Sequence, residues 1–240
     1  MSEKNNQVYD KYFSTQAVGS QTINEITKQS LNYFNQNLLK FIPTKKNIKI
    51  LEIGCGFGRY LKFLKDLGYT NLTGIDISSE QIKAAKESYD LENVFVADAI
   101  EYLDKNTGKF DVILVLDVVE HLDLEYALEL GTKMYQNLTA DGILVMQTPN
   151  GLAPLSLYRY GDITHVRALN VQSAMQYLTL AGFSKMSFHE APPDMVGLKN
   201  KIRRALWIIT RLFIMLYIFI INGNFGGKVY TPNIISVASK

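Results

Sequence analysis

The residues best able to do chemistry are three glycines, several acids and three histidines. Gly54, Gly56 and Gly58 alternate with single residues in the run EIGCGFG. Glycine accepts left-handed backbone and carries no side chain, so a run like this between a strand and a helix lets a ligand lie close against the main chain. That placement suits a nucleotide-like ligand, although the run taken alone is also compatible with a purely structural tight turn. Arg59 stands where a dinucleotide fingerprint wants its third glycine or alanine, which weakens a nicotinamide reading. Asp76 follows at a predicted strand end, where a carboxylate can accept hydrogen bonds from both hydroxyls of a ribose. Asp98, at the next strand end, can address an adenine amino edge, although an aspartate there is also an ordinary turn residue.

An unperturbed imidazole titrates near about 6.5, so His121, His165 and His189 are the candidate bases at neutral pH. His121 falls just beyond the fourth predicted strand, in the region where α/β sheets hold ligands. Its bland alternative is helix capping or support of another group. His165 lies in GDITHVR, with Asp162 and Arg167 making its loop polar, and is slightly favoured as the base. His189 falls inside a predicted strand and reads as packing or surface. Glu120, His121, Asp162 and His165 offer oxygen and nitrogen ligands, but no metal-spacing motif joins them. Neighbours on a helix point apart, so Glu120 and His121 are expected to diverge and no metal is assigned.

These residues need a scaffold, and the pattern from residue 48 onward supplies one. Short apolar runs alternate with amphipathic segments, as in a mostly parallel sheet with helices on both faces. The expected strands are 48–53, 71–76, 93–98, 110–117, the segment GILVMQT, 184–190 and 234–240. FDVILVLD is a continuous apolar run bounded by acids, the mark of a central strand buried on both faces. Leu61, Leu64 and Leu67 share a helical stripe ending at Gly68, Ser78 and Gln81 spell a capping box, Asp141-Gly142 is a turn signal, and Asn170 caps a helix that ends at Gly182. Residues 1–42 read as one or two helices beside the sheet.

A chain of 240 residues can bury a sizeable core in one α/β domain with an appendage. Its net charge of +2 excludes a general basic footprint for nucleic acid. The single cysteine, Cys55, excludes an intrachain disulfide and a cysteine-built zinc cage. The polar N-terminus lacks the apolar run of a secretory signal, so a cytoplasmic protein is expected.

Taken in order and spacing, EIGCGFG, GIDIS, VADA, FDVILVLDVVEHL and GILVMQTPN resemble class I S-adenosylmethionine-dependent methyltransferases. The resemblance covers residues 48 to about 190 and the terminal strand. EHL, TPN and DITHVRALN followed by AGF resemble, within that class, ubiquinone-type O-methyltransferases and bacterial surface-polysaccharide methyltransferases. The resemblance implies a Rossmann-like fold with a seven-stranded, mostly parallel sheet containing one antiparallel strand. It implies a helical cover over 1–45, a cofactor domain over 46–190 and 228–240, and a basic, apolar insertion over 191–227. It further implies that Gly54, Gly56 and Gly58 pass under the methionine and ribose of S-adenosylmethionine, with Glu52 supporting the loop. Asp76 and Ile77 would hold the ribose, Asp98 and Ala99 would face the adenine, and Asp117 and Val118 would line the methionine end beside the acceptor. Tyr9 and Tyr12 would close over the cofactor. The expected reaction is O-methylation of a glycan, sugar-nucleotide or other small-molecule hydroxyl in surface-polysaccharide biosynthesis, releasing S-adenosylhomocysteine. Alternatives are a ubiquinone-like lipid phenol as acceptor, or a catalytically silent subunit that binds the cofactor.

Leu206–Ile221 is apolar except for Thr210 and Arg211. As a helix it would reach about 24 Å, short of the roughly 30 Å hydrocarbon core, and it joins two strands expected in one sheet. Basic residues and Trp207 at its start leave three destinations: an anionic membrane surface, a homodimer interface through 201–221, or the core.

Overall fold

The continuous apolar run of the fourth strand separates two cores, and the rest of the fold is arranged around it. In the computed structural model, which describes residues 23–106, 109–154 and 161–240, β4 (Phe110–Leu116) sends Ile113 and Val115 into one core and Val112, Leu114 and Leu116 into the other. Each such side chain contributes about 1.5–3 kcal/mol by burial, which fixes both the strand and its centrality. β1 (Lys49–Ile53) and β5 (Leu138–Pro149) flank it in parallel. β2 (Asn71–Asp76) and β3 (Val94–Val96) extend the sheet beyond β1. On the other side β7 (Asn233–Ser239) runs antiparallel between β5 and β6 (Lys185–Glu190). The order β3-β2-β1-β4-β5-β7-β6 is the expected seven-stranded, mostly parallel sheet with one antiparallel strand.

The connecting helices are α2 (Arg59–Asp66), α3 (Ser79–Tyr89), α4 (Ala99–Lys105), α5 (Leu124–Asn137) and α6 (Val171–Ala181). Asp123 caps α5, and Asn170 forms a full capping box with Ser173 before α6 ends on left-handed Gly182. The helix α1 (Ile23–Asn37) and a 3₁₀ turn at Leu39–Phe41 lie beside β1 and β4, where Phe34 and Leu38 are fully buried.

Several local expectations need correction. Leu67 is 37% exposed, because α2 closes at Asp66 and leaves it beyond the buried stripe of Leu61 and Leu64. Ser78 accepts the Gln81 amide at 3.4 Å, but the Gln81 side chain lies against Gly56, so the reciprocal arm of the capping box is not made. Asp141-Gly142 sits within β5, where the register jumps from Phe110–Leu138 to Val112–Ile143. The apolar segment belongs to a 26-residue helix, α7 (Gly197–Asn222), about 39 Å long, so the length argument against crossing a bilayer fails.

Candidate active site

At the carboxyl edge of β1, Gly54, Gly56 and Gly58 all adopt left-handed backbone, with φ of 69°, 54° and 78°. The loop folds back on β2: the Gly54 and Cys55 amides donate to Ile75 O at 2.8 and 3.0 Å. A Cβ at Gly54 would collide with Val118, and one at Gly58 with Leu91, so both bare backbones are required by packing as well as conformation. Asp76, at the end of β2, accepts the Gly56 amide at 2.9 Å on one oxygen and the Ser78 amide at 2.8 Å on the other. Burial pushes its pKa up against the pull of the Ser78, Gly56 and Ile77 amides. The carboxylate therefore latches the glycine loop to the β2 rim and keeps acceptor positions in reserve.

Beneath the loop, Glu52 is 2% exposed and its Oε2 has no hydrogen-bond partner. Burial lifts its pKa to about 8, opposed by Arg59 and reinforced by Asp76. Arg59 opens α2, spreads over the Phe57 and Tyr60 rings, and is held charged by Tyr60, Asp117 and Glu52 despite its burial. In the sequence Arg59 registers only as a departure from a dinucleotide fingerprint; its position directly after the glycines is the signal of this buried contact.

Asp117 follows β4 with φ 58°, a left-handed aspartate at a strand end. Such backbone is costly outside glycine and concentrates at functional sites. Gln147, 2% exposed on β5, donates from Nε2 to both Asp117 oxygens at 3.0 and 2.9 Å, while the Gln147 carbonyl accepts the Asp117 amide at 3.0 Å. Gln147 Oε1 accepts the Tyr33 hydroxyl at 2.6 Å, which ties α1 to the same rim. Crowding by protein raises the Asp117 pKa, moderated by Gln147, Arg59 and His165. Val118 closes over Gly54.

Asp98 reaches the same edge at the end of the β3 segment, but its carboxylate is already engaged. Oδ1 caps α4 through Ile100 and Glu101, and Oδ2 accepts the Tyr126 hydroxyl at 2.8 Å. Ala99, the first residue of α4, is 9% exposed. Tyr9 and Tyr12 lie outside the described residues.

Beyond β4, a 3₁₀ turn at Val119–His121 meets the 161–170 loop. Val166 and Arg167 donate their amides to Glu120 O at 2.9 and 3.3 Å, pinning the loop. The His121 and His165 rings meet edge to face with centroids 4.6 Å apart. The Thr164 hydroxyl donates to Asp162 Oδ1 at 2.6 Å, so its oxygen is left to accept from His121 Nδ1 at 2.8 Å. This chain selects the tautomer with the proton on Nδ1 and the lone pair on Nε2. Burial, then His165, lowers the His121 pKa to about 4, against the pull of Asp162 and Thr164.

Glu120 is wholly buried with neither carboxylate oxygen hydrogen-bonded; His165 Nε2 is 4.0 Å from its Oε1. Burial raises its pKa strongly, as does Asp117. Ligand atoms of Glu120, His121 and His165 lie within 4.8 Å of one another. The expected divergence of Glu120 and His121 is thus overridden, because the His165 loop packs across both. His189 is remote on β6, packed on Phe41 at 4.6 Å and bonded to Ser187, as the sequence suggested.

A family model described as "Methyltransferase domain" matches residues 27–187. A ubiquinone biosynthesis O-methyltransferase of Pelagibacter ubique is 32% identical over 130 residues, covering 50% of this chain and 52% of that protein. Its namesake from Psychrobacter cryohalolentis is 24% identical over 211 residues, covering 78% and 80% respectively. The chain thus spans about half the length of the first of these relatives. A solved structure described as a SAM-dependent methyltransferase from Archaeoglobus fulgidus superimposes with a TM-score of 0.68 at 22% identity, covering 96% of this chain and 100% of that one.

Proposed function

The chain belongs to the methyltransferase domain family, and on that premise we propose that it moves the methyl group of S-adenosylmethionine onto a hydroxyl of a lipid-linked phenol. The observation that carries this reading is the convergence, at one end of the sheet, of a left-handed glycine loop latched by Asp76 with a half-buried histidine pair that follows the neighbouring strand β4. The residues fit the cofactor: the left-handed glycine loop turns at the carboxyl end of β1, and beside it Asp76 retains acceptor positions after binding the loop. Gly54, Gly56 and Gly58 pass under the methionine and ribose, Asp76 with Ile77 holds the ribose hydroxyls, and Asp98 with Ala99 borders the adenine. Asp117 and Val118 border the methionine end, and Glu52 with Arg59 braces the loop from beneath.

S-adenosylmethionine supplies an electrophilic methyl on a sulfonium, which departs by in-line displacement and leaves S-adenosylhomocysteine. The protein's share is alignment, exclusion of water and removal of the acceptor proton. His121 is the assigned base, because the Asp162–Thr164 chain at its Nδ1 favours the neutral tautomer whose basic lone pair is on Nε2. This reverses the slight preference for His165, whose Nδ1 is buried without a hydrogen-bond partner. His165, backed by Glu120, is a positioning residue for the His121 ring.

The acceptor order is also reversed from the sequence reading. The relatives named for ubiquinone biosynthesis support a lipid phenol over a glycan or sugar-nucleotide, and so does the apolar α7 beside the site. The test incubates the protein with methyl-labelled S-adenosylmethionine and a bacterial extract, then partitions the products. Label in the organic phase is expected. Label confined to water-soluble sugars moves the acceptor to a glycan hydroxyl, and the absence of any turnover with retained S-adenosylhomocysteine binding leaves a silent binding subunit.

A second reading has an observation of its own. A carboxylate buried with both oxygens unpartnered, beside two imidazoles, is the donor set of a divalent cation. Glu120, His121 and His165 would hold it, and it would lower the pKa of a bound acceptor hydroxyl. Elemental analysis of purified protein and of Glu120→Gln separates this reading from a metal-free base: metal lost with the substitution supports it, and none in either protein removes it.

A further inference from the structure

The helix α7 shows its polarity inside out. Arg204, Trp207, Arg211, Ile214, Met215 and Ile218 recur every three or four residues, and they are the less exposed members of the helix from Arg203 to Asn222. They form one stripe against the body. Arg211 Nε donates to both Glu190 carboxylate oxygens at 3.0 and 2.9 Å and its Nη2 donates to Lys228 O at 3.2 Å. Arg204 reaches Pro193 O, Ile218 is 5% exposed, and Phe219 stacks on Phe225 with centroids 5.0 Å apart. The helix therefore lies lengthwise on the protein, with its arginine at the contact. Outward it presents Ile208, Ile209, Leu212, Phe213, Leu216 and Ile220, each 54–71% exposed. A water-facing helix does the opposite, and soluble monomers rarely expose apolar patches beyond a few hundred Å².

We propose that this outer face of α7 docks the protein flat on an anionic lipid bilayer. Charge identifies the occupant. From Met195 to the C-terminus the sequence holds seven Lys or Arg and no Asp or Glu. Lys199, Lys201 and Arg203 are exposed where α7 begins. A second copy meeting this face with its own α7 would bring no acid from Met195 onward to pair with them, whereas anionic headgroups pair with them while acyl chains receive the apolar side chains. Spanning is excluded by connection rather than by length: α7 leaves β6 at Glu190 and returns to β7 at Asn233, neighbouring ends of one sheet, and is bound to the body along its run.

That sheet end is also the rim of the candidate site. Asn233 pairs with Pro149, the last residue of β5, and Asn150 Nδ2 donates to Val229 O and Thr231 O at 2.9 and 3.0 Å. The bilayer thus lies beside the loop that carries His165. The further step, that the leaflet delivers the acceptor, rests on the lipid-phenol reading; the docking itself does not.

The test is co-sedimentation of the full chain with vesicles of phosphatidylcholine alone and of phosphatidylcholine with phosphatidylglycerol. Binding is expected to the anionic vesicles and to weaken with salt. Lys201→Gln with Arg203→Gln should weaken it on the order of thirty-fold, taking about 1 kcal/mol per basic residue at an anionic surface. Phe213→Glu with Ile220→Glu should abolish it while leaving the S-adenosylhomocysteine-bound melting temperature unchanged, since both side chains face away from the body. Wild-type protein that stays in the supernatant of both vesicle types overturns the proposal. So does a dimer by light scattering that Phe213→Glu dissociates without any vesicle binding, which would give the face to a second copy. Because the assay reads no methyl transfer, a failed acceptor assignment leaves its outcome untouched.

Discussion

Asp76 holds two jobs that substitution can separate. Its two oxygens accept the Gly56 and Ser78 amides at 2.9 and 2.8 Å, using two of about four acceptor positions, and the remainder are assigned to the ribose hydroxyls. Asp76→Ala removes both jobs. The loop loses its latch and two partly buried amides lose an acceptor, an expected cost of about 1–3 kcal/mol, or roughly 2–10 °C in melting temperature for a chain of this size. Cofactor affinity loses charge-assisted bonds worth about 1.5–3 kcal/mol, or roughly 10- to 150-fold in Kd. Asp76→Asn keeps one carbonyl oxygen for the loop and loses the charge. Its melting temperature should therefore fall less than that of the alanine variant, while S-adenosylhomocysteine affinity falls comparably. Calorimetric titration with S-adenosylhomocysteine, beside thermal melts without ligand, reads both quantities. Unchanged Kd in either variant refutes the ribose assignment. Affinity losses that merely track the stability losses would leave Asp76 as a loop latch alone.

Glu52 carries the pH prediction. Its pKa rises from 4.5 unfolded to about 8 folded, so the stability it contributes is complete below 4.5 and lost as pH climbs through 8. Thermal melts of Glu52→Gln against wild type should show an advantage for glutamine that grows across that window, and a constant difference would contradict the burial. Gly54→Ala combines a left-handed strain of about 1–2 kcal/mol with a clash against Val118 worth about 1–3 kcal/mol. Chemical denaturation should show Val118→Ala relieving the second part but not the first. Thr164→Val should shift His121 away from the Nδ1–H tautomer in ¹⁵N spectra and lower kcat with cofactor affinity retained; an unchanged tautomer would break the Asp162–Thr164–His121 chain.

The glycine-loop half of the candidate site is legible in the sequence because its parts are local. A glycine run after an apolar strand, and acids at the next strand ends, are spelled within a few residues of where the fold sets them, so the positions of Gly54, Gly56, Asp76 and Asp117 at the strand ends follow from periodicity and resemblance. The histidine half depends on contacts distant in sequence. Thr164 sits 43 residues from His121, and Gln147 lies 30 from Asp117 and 114 from Tyr33, separations that no spacing rule reports. Arg59 was visible but was weighed only against one motif. The helix α7 was undercounted because its start, GLKNKIRRA, is polar and basic; helix geometry continues through such residues where apolar continuity stops. Leu67 erred in the opposite way, since periodicity assigns a face without knowing where the helix ends.

Asn150 shows how these distant parts are made to act together. It is 1% exposed, at the end of the strand that supplies Gln147, and its polar groups are spent on fixed partners. Its amide donates to Pro232 O at 2.7 Å, its Nδ2 donates to the Val229 and Thr231 carbonyls, and its Oδ1 accepts the Leu152 amide at 3.0 Å. Gly151 then donates to Leu169 O at 2.8 Å, tying the start of the His165 loop to its end. One buried side chain thereby joins the segment returning from α7 to the loop that carries His165. Buried carbonyls deprived of a donor are costly, so this junction resists sliding. A surface patch and a loop joined in this way hold a constant relation to each other. Whatever covers α7 is therefore held in a fixed relation to the loop that carries His165.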